Sequence, residues 1–358
     1  MDSMDKKQKS NGLDTRSREI LRCLVREYIH RGGPVGSRRL AKVHSEGLSS
    51  ATIRNVMADL EEGGFLRQPH TSAGRVPTDK GYRFYVDSLL ETQKLSKKEV
   101  SRIKGTLEQE TDPADLMAKT SQILSTFSDN IGFVLAPPIS LAVLKHIEFV
   151  KISRNRVLVI LVTGPGLVEH RLVQLNEMVT QSDLDQAGRY LGTHFQGRTL
   201  FEIRDELLSL MSEEKSLYDR ILQHAILLGS ATLMQSEVDV EEGAGVYLGG
   251  AAQVIHKPEM NDINRMIALF ETFEEKSRLV KIINECVKSN PEGPTVTIGL
   301  EEHIPRMRDW ALISSPYLHN HKVMGGLGIL GPSRMEYARA ISLVDYVAEL
   351  FGELLDGN

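Results

Sequence analysis

The sequence predicts an α+β protein of more than one domain, for three reasons. Its 358 residues exceed the length of a typical domain, and 41% of them are hydrophobic, which is ample for packed cores. Helical periodicity dominates the first 90 residues, whereas runs rich in Val, Ile and Leu between residues 131 and 175 are typical of strands. Helical patterns return from Ser182 to about Thr232 before further strands, so we expect a mixed domain interrupted by an insertion.

Two helices are predicted before residue 45. The first, from Thr15 to Arg31, has one apolar face and ends at Gly32-Gly33-Pro34. The second spans residues 37–43, with Ser37 as its expected cap. A short link, residues 45–47, leads to a further helix, which is the spacing that a helix-turn-helix requires.

The third helix combines an apolar stripe with a polar face suited to DNA. Ser49 or Ser50 can cap its start, and Gly63 with Gly64 can end it. The stripe consists of Ile53, Val56, Met57 and Leu60. The opposite face carries Ala51, Thr52, Arg54, Asn55 and Ala58. Small residues let a helix approach a groove closely, and Arg and Asn match guanine and adenine edges. An ordinary amphipathic helix with a solvated face is the alternative.

The residues after this helix favour DNA binding. Phe65-Leu66-Arg67 can form a short strand, and residues 70–75 a polar loop that returns to Val76. This hairpin wing carries Arg67 and Arg75 and no acid, so it is suited to phosphates or a minor groove. A plain surface hairpin is the alternative. Thr78 can cap a following helix that runs from about residue 79 to residue 90.

The remaining chain alternates helices and strands. Ser96 with Glu99 fits a capping box, and Asp112-Pro113 begins another helix. Strand-like runs at 131–135, 144–152, 157–163 and 167–174, with turns at 154–156 and 164–166, predict an antiparallel meander. Thr199 with Glu202 is a second capping box. We further expect a strand at 245–252, helices at 262–289, strands at 295–299, 311–317 and 323–330, and a final helix from 333 to 355.

Charge and composition narrow the class of protein. Residues 1–90 have a net charge of +5 and the remaining residues −10, an asymmetry that suggests a DNA-facing end. Cys23 and Cys286 are far apart and give neither a disulfide framework nor a zinc-ligand set, which indicates a reducing cytoplasm. No apolar run reaches the roughly 18 residues of a membrane span, so we expect no membrane. Residues 1–13 are expected to be a disordered tail without a signal-peptide core.

Two motifs resemble one known family closely. The runs SATIRNVMADLE, residues 50–61, and HTSAGRVPTDKGYR, residues 70–83, resemble the recognition helix, wing and following helix of the heat-inducible transcription repressor family, HrcA. The run GPSRM, residues 331–335, resembles the same family, and the likeness covers nearly the whole chain.

The resemblance implies a domain organisation and a function. It implies a winged-helix DNA-binding domain at 14–92, a GAF-like domain at 93–177 and 257–358, and an inserted dimerising domain at 178–256. It implies a repressor of chaperone operons that binds the CIRCE inverted repeat in double-stranded DNA as a homodimer. It also implies that a GroEL-type chaperonin keeps the repressor active, and that heat stress relieves repression.

The expected DNA-binding residues fall into three groups. Arg54 and Asn55 are expected to read bases, with Ser49, Ser50, Ala51 and Thr52 near the same groove. The wing is expected to bind through Arg67, His70, Thr71 and Arg75. Arg38 and Arg39 are expected to contact phosphates.

Other kinds of site are disfavoured. Residues 326–331 satisfy GxGxxG, but no second parallel strand follows, so we expect a close-packed glycine-rich strand and no dinucleotide cofactor. His303, His319 and His321 are expected to be loop histidines rather than metal ligands. The acid pairs Glu241-Glu242 and Glu301-Glu302 are expected to be solvated. No catalytic motif indicates an enzyme. A repressor or activator that responds to a small ligand in the GAF-like domain, and an enzyme with a regulatory winged helix, are the alternatives.

Overall fold

In a computed structural model, the protein is described over most of its length. The described residues are 13–43, 47–70, 73–88, 90, 93–137, 142–164, 168–175, 179–212, 228, 245–260, 266–267, 269–271, 276–301, 304, 307–319 and 322–356. The expected tail at 1–13 lies almost wholly outside them. The chain divides into two compact units. One contains the residues up to Leu95 with 296–313 and 330–343, and the other contains 96–295, 314–329 and 344–358.

The N-terminal part of the first unit has the predicted order of three helices, a hairpin and a fourth helix. The helices are α1 (Thr15–Arg31), α2 (Ser37–Val43), α3 (Ser50–Glu62) and α4 (Asp79–Ser88). The hairpin pairs β1 (Leu66–Arg67) with β2 (Val76–Pro77) in antiparallel register. The stripe on α3 is buried, and so is the apolar face of α1 through Ile20, Leu21, Leu24 and Val25. The periodicity therefore predicted which faces form the core.

The ends of these helices follow from local hydrogen bonds. The Ser49 hydroxyl accepts from the Thr52 N–H at 3.1 Å, as predicted for a cap on α3. Gly64 has a φ of +76°, the left-handed conformation expected after this helix. Thr78 caps α4 by accepting from the Gly81 N–H. The prediction that Ser37 caps α2 was wrong: Ser37 is the first helical residue, and the Leu40 N–H donates to the carbonyl of Gly36.

Two long-range contacts within the first unit hold α1 and α4. The Arg334 guanidinium donates to the Ile29 carbonyl near the end of α1 at 2.8 Å. Arg83 on α4 donates to the Ile298 carbonyl through Nε and Nη2. Charge-assisted bonds of this kind are stronger than neutral ones. They fix two of the helices on which the helix-turn-helix rests.

The expected strands after residue 130 form two separate sheets. The meander is confirmed for β4 (Val143–Lys151), β5 (Arg156–Gly164) and β6 (Val168–Gln174), which pair antiparallel. The run at 131–135 forms β3 but does not belong to this meander. It lies in a five-stranded sheet with β7 (Val246–Gly249), β8 (Thr295–Ile298), β9 (Trp310–His319) and β10 (Lys322–Pro332), in the order β7-β3-β10-β9-β8. All five residues of β3 are buried, as is typical of an inner strand.

The helices of the second unit begin largely where their caps predict. They are α5 (Lys97–Leu107), α6 (Pro113–Ser128), α7 (Gln181–Phe195), α8 (Leu200–Ser212), α9 (Ala251–Ile255), α10 (Lys276–Ser289) and α11 (Tyr337–Asp356), whose first turns belong to the first unit. Capping boxes are present at Ser96 with Glu99 and at Thr199 with Glu202. The strand expected at 245–252 ends earlier, because Gly250 turns the chain with a φ of +78° and α9 begins at Ala251.

The meander shares one hydrophobic core with α7 and α8, to which Leu175 and Val179 contribute. Strand β7 is not part of this meander and pairs with β3 of the five-stranded sheet. The pairing of the strands decides which residues share a core.

The glycine-rich run at 326–331 lies inside β10, as expected for a close-packed strand. A Cβ on Gly326 would lie 2.6 Å from the Val287 side chain. Within the described part of the chain, no helix is both long and apolar enough to cross a membrane.

One carboxyl at the start of α4 makes the stability of the fold dependent on pH. Burial raises the pKa of Asp79, and the nearby carboxylates of Glu301 and Asp309 raise it further. A carboxyl whose pKa rises on folding stabilises the fold below about pH 4, and this contribution is lost as the pH rises through the folded-state pKa. We expect Asp79→Asn to increase the free energy of unfolding at pH 7 and to reduce its fall between pH 4 and 7. Urea unfolding at both pH values measures this, with Asp87→Asn on the exposed side of α4 as the control. Equal effects of the two substitutions would contradict the assignment.

Candidate nucleic-acid interface

The exposed face of α3 carries the residues expected to read bases. Ala51, Arg54, Asn55 and Ala58 are exposed, and Thr52 is half-buried. Arg54 and Asn55 have no side-chain partner among the described residues, so their hydrogen-bonding groups are free for base edges. The acids of α3 lie at or after Asp59, and the first two turns carry none. The N-terminal half of α3, with its positive helix dipole, therefore suits the approach of a polyanion.

The cap of α3 is also part of this surface. Ser49 and Ser50 are exposed, and the Ser49 and Thr52 hydroxyls lie 2.9 Å apart. Because the Ser49 oxygen already accepts the Thr52 N–H, its first role is to fix the start of the helix. The exposed backbone at this end remains available to an anion.

The wing is joined to the helix-turn-helix by backbone and side-chain bonds. Val35 and Arg75 exchange two backbone hydrogen bonds of 2.9 Å, which adds the segment before α2 to the edge of the hairpin. The Arg75 guanidinium donates to Glu61 of α3 at 2.7 Å. The Gln68 amide closes the wing loop by donating to the Ala73 carbonyl at 3.0 Å. The wing therefore has a defined position relative to α3.

Arg67 and His70 are the exposed members of the wing. Arg67 has no ion pair among the described residues, and its pairing with Val76 in the hairpin fixes its backbone. The Arg75 side chain is only 20% exposed and is paired with Glu61, so its local role is to hold the wing against α3. Thr71, also expected to bind DNA, lies outside the described residues.

The two arginines of α2 also differ in whether they form an ion pair. Arg39 is paired with Glu27 of α1 at 2.8 Å, whereas Arg38 is exposed and has no ion pair in the described part of the chain. Sequence reasoning missed Glu27, Glu61 and Gln68, which position the interface without belonging to its exposed surface. The one signal for Glu61 was that α3 ends in acids beside a basic wing.

We expect Arg38→Ala to weaken binding to every duplex. It should also reduce the number of counterions released on binding by about one, which lowers the salt dependence of binding. Arg39→Ala is the matched control, because Arg39 is already neutralised by Glu27 and its loss should change the salt slope less. Titrations at four salt concentrations on specific and scrambled duplexes measure both slopes. A larger change for Arg39 than for Arg38 would show that the Arg39–Glu27 pair opens on DNA.

The side chains considered for other chemistry do not form a site that the structure describes. His303, His321 and the side chain of His319 lie outside the described residues, as do Glu241, Glu242 and Glu302. In the part of the chain that is described, no three His, Cys, Asp or Glu side chains gather in a way that could hold a metal ion.

Comparison with known proteins gives a consistent result over nearly the whole chain. The family model for the HrcA protein C-terminal domain matches residues 114–341. A heat-inducible transcription repressor HrcA from Geobacter sulfurreducens is 42% identical over 97% of this chain and 99% of its own length. The protein of the same name from Syntrophobacter fumaroxidans is 38% identical over 96% and 98% of the two chains.

One solved structure shares the fold. A crystal structure described only as that of a hypothetical protein has a TM-score of 0.62 and 23% sequence identity, and the match covers 96% of this chain and 99% of that one. At this level of identity the likeness concerns the fold alone.

Proposed function

Because the chain belongs to the HrcA family of heat-inducible transcription repressors, we propose that it represses heat-shock genes by binding duplex DNA through α3 and the β1–β2 wing. One observation carries the proposal: the N-terminal half of α3 presents an exposed face that is free of acids, beside a wing fixed to the same helix. On this face Arg54 and Asn55 have no side-chain partner among the residues that the structure describes. The relatives are named transcription repressors, and no enzymatic activity is proposed.

In the proposed complex the N-terminal half of α3 enters the major groove. Arg54 and Asn55 read bases, while Ser50, Ala51 and Thr52 pack near the groove edge. Arg38 contacts phosphates, and Arg67 and His70 on the wing contact the backbone or the adjacent minor groove. Arg39 and Arg75 contribute mainly through Glu27 and Glu61, which hold α2 and the wing in position.

We further propose that the protein acts as a homodimer on an inverted repeat of the CIRCE type. Two copies related by a two-fold axis present two α3 helices to two half-sites, so the operator repeats the symmetry of the protein. We propose that the remainder of the chain forms the GAF-like and dimerising domains. We also propose that the protein is cytoplasmic.

Chaperonin control is the last part of the proposal. A GroEL-type chaperonin that favours the folded repressor would raise its active population by mass action. On heat stress, unfolded clients occupy the chaperonin, the active population falls, and repression is relieved.

Competition binding tests the proposed function. The purified chain is titrated with a duplex containing the inverted repeat, with a single half-site and with a scrambled duplex, at moderate salt and with and without chaperonin. We expect the inverted repeat to bind at least about 1,000-fold more tightly than the scrambled duplex. Equal binding to the three duplexes would refute the operator, and an unchanged active fraction with chaperonin would refute chaperonin control alone.

A further inference from the structure

A cleft of about 550 Å³ lies within the first unit, beside the helices that support the helix-turn-helix. Its walls come from three parts of that unit: one face of α1, the segment formed by α4 and the residues after it, and the start of α11. Sites for small molecules have volumes of about 300–1,000 Å³. The cleft is therefore large enough to hold an organic ligand.

Part of the wall of this cleft is apolar and aromatic. Ile29 of α1 contributes an aliphatic side chain, and Tyr85 and Tyr337 contribute rings that are 4% and 1% exposed. The Tyr337 hydroxyl donates to the Ser333 carbonyl at 2.7 Å, so its hydrogen-bonding group is already used within the protein. A flat ring packs favourably against aromatic side chains of this kind.

Tyr85 differs from Tyr337 because its hydroxyl has no partner. It forms no hydrogen bond with any residue that the structure describes, although the side chain is almost wholly buried. Buried phenol hydroxyls usually have a hydrogen-bond partner. Since Tyr85 lines the cleft, we expect a ligand group that accepts a hydrogen bond to supply this partner.

The start of α11 contributes a second donor without an acceptor. Ala338 lines the cleft and is the second residue of this 20-residue helix. Within the described ranges, no backbone carbonyl accepts a hydrogen bond from its N–H. The first N–H groups of a helix have no acceptor inside the helix and lie at the positive end of its dipole. This end of the cleft therefore favours an anion.

Most polar side chains around the cleft are donors as well. Arg26 and His30 are four residues apart on α1 and so lie on the same face, and Gln93 carries an amide. Glu336 is the single acid among the described lining residues, and its carboxylate lies 3.9 Å from the Nδ1 atom of His30. The donors outnumber this acid, so the cleft is suited to an anionic group on an aromatic body.

We propose that this cleft binds a small aromatic carboxylate. The ring packs against Ile29 and the two tyrosines, and the carboxylate accepts hydrogen bonds from the Tyr85 hydroxyl and the Ala338 N–H, with Arg26 as its counter-ion. Such a ligand contacts both α1 and the start of α11, two parts of the unit that the bond from Arg334 to the Ile29 carbonyl already joins. A ligand that binds only this folded arrangement stabilises it in proportion to the logarithm of its concentration.

Calorimetric titration of the full-length chain, without DNA, tests the proposal. The probes are 2-naphthoate, 2-naphthamide and 2-naphthylmethylammonium, which share one ring system and differ in charge. We expect 2-naphthoate to bind roughly tenfold or more tightly than the other two, because hydrogen bonds to a charged group are stronger than neutral ones. Urea unfolding should show a higher midpoint with 2-naphthoate than with either of the other probes.

Four variants locate the bound probe. Tyr85→Phe keeps the ring and removes the hydroxyl, so it should weaken 2-naphthoate by about fivefold. Arg26→Gln should weaken it by roughly tenfold or more, whereas Glu336→Gln should strengthen it because a like charge is removed. Arg22→Gln is the matched control: this arginine lies one turn earlier on α1, is paired with Glu19 at 2.6 Å, and should not affect binding.

The outcomes separate this inference from the proposed function. A parent chain that binds none of the probes overturns it, and so does equal binding of all three, which requires no carboxylate site. Tighter binding of the ammonium probe would assign the cleft to a cation held by Glu336. If Arg26→Gln prevents folding, Tyr85→Phe still decides, since parent-like binding by that variant places the probe elsewhere. A chain that binds 2-naphthoate as expected but shows no preference for the inverted repeat would sustain the site and refute the proposed function.

Discussion

Replacing Arg54 by alanine is expected to weaken binding to the operator by about 1–3 kcal/mol for each half-site while leaving binding to a scrambled duplex nearly unchanged. The Arg54 side chain is exposed in the first half of α3 and has no ion pair among the described residues. Its guanidinium can therefore form two parallel bonds to one guanine without first breaking a bond within the protein. In a dimer the loss occurs at both half-sites, so the effect on the full inverted repeat exceeds that on one half-site.

Titrations on a panel of operator duplexes test this role. Each duplex carries one base change, and the variant should lose discrimination at a single symmetric pair of positions. Arg54→Lys is the matched variant: it keeps the charge but not the planar fork, so it should retain the salt slope and lose the base preference. A uniform loss on operator and scrambled duplexes alike would instead place Arg54 on phosphates.

The comparison of Arg54 with Arg75 shows what the sequence could and could not predict about the interface. The exposed face of α3, its serine cap and its glycine end depend on residues within one or two turns, and all three were predictable from spacing. The partners of Arg39 and Arg75 are 12 and 14 residues away, and nothing in the local pattern connects them. Tertiary contacts therefore decide which of these arginines is free and which is paired.

The strands illustrate the same limit at the level of the fold. The runs that form β3 and β4 have similar composition and follow each other along the chain, so the sequence predicts that both belong to one meander. Yet β3 pairs with β7, more than 100 residues later, whereas β4 pairs with the next strand. Sequence periodicity reveals which residues are strands but not which strands pair, because pairing depends on contacts that close long loops.

The attachment of the wing leads to the second large effect. Gly74 lies beside the segment that precedes α2, and a Cβ at this position would be 2.4 Å from both the carbonyl carbon and the oxygen of Val35. No side chain fits at that distance, so the backbone must separate. The two hydrogen bonds between Val35 and Arg75 would then be strained or lost. Glycine is needed here for the close approach of two backbone segments rather than for an unusual φ.

We therefore expect Gly74→Ala to lower the free energy of unfolding by about 1–3 kcal/mol, as overpacking does, and to reduce operator affinity by roughly tenfold or more. The affinity falls because Arg67 and His70 no longer keep their position beside α3. Gly33→Ala is the matched control, since no atom lies within 4 Å of the added Cβ. Urea unfolding and operator titration of both variants measure the two effects. If Gly74→Ala bound the operator like the parent while remaining folded, the wing would not need its attachment to Val35, and recognition would depend on α3 alone.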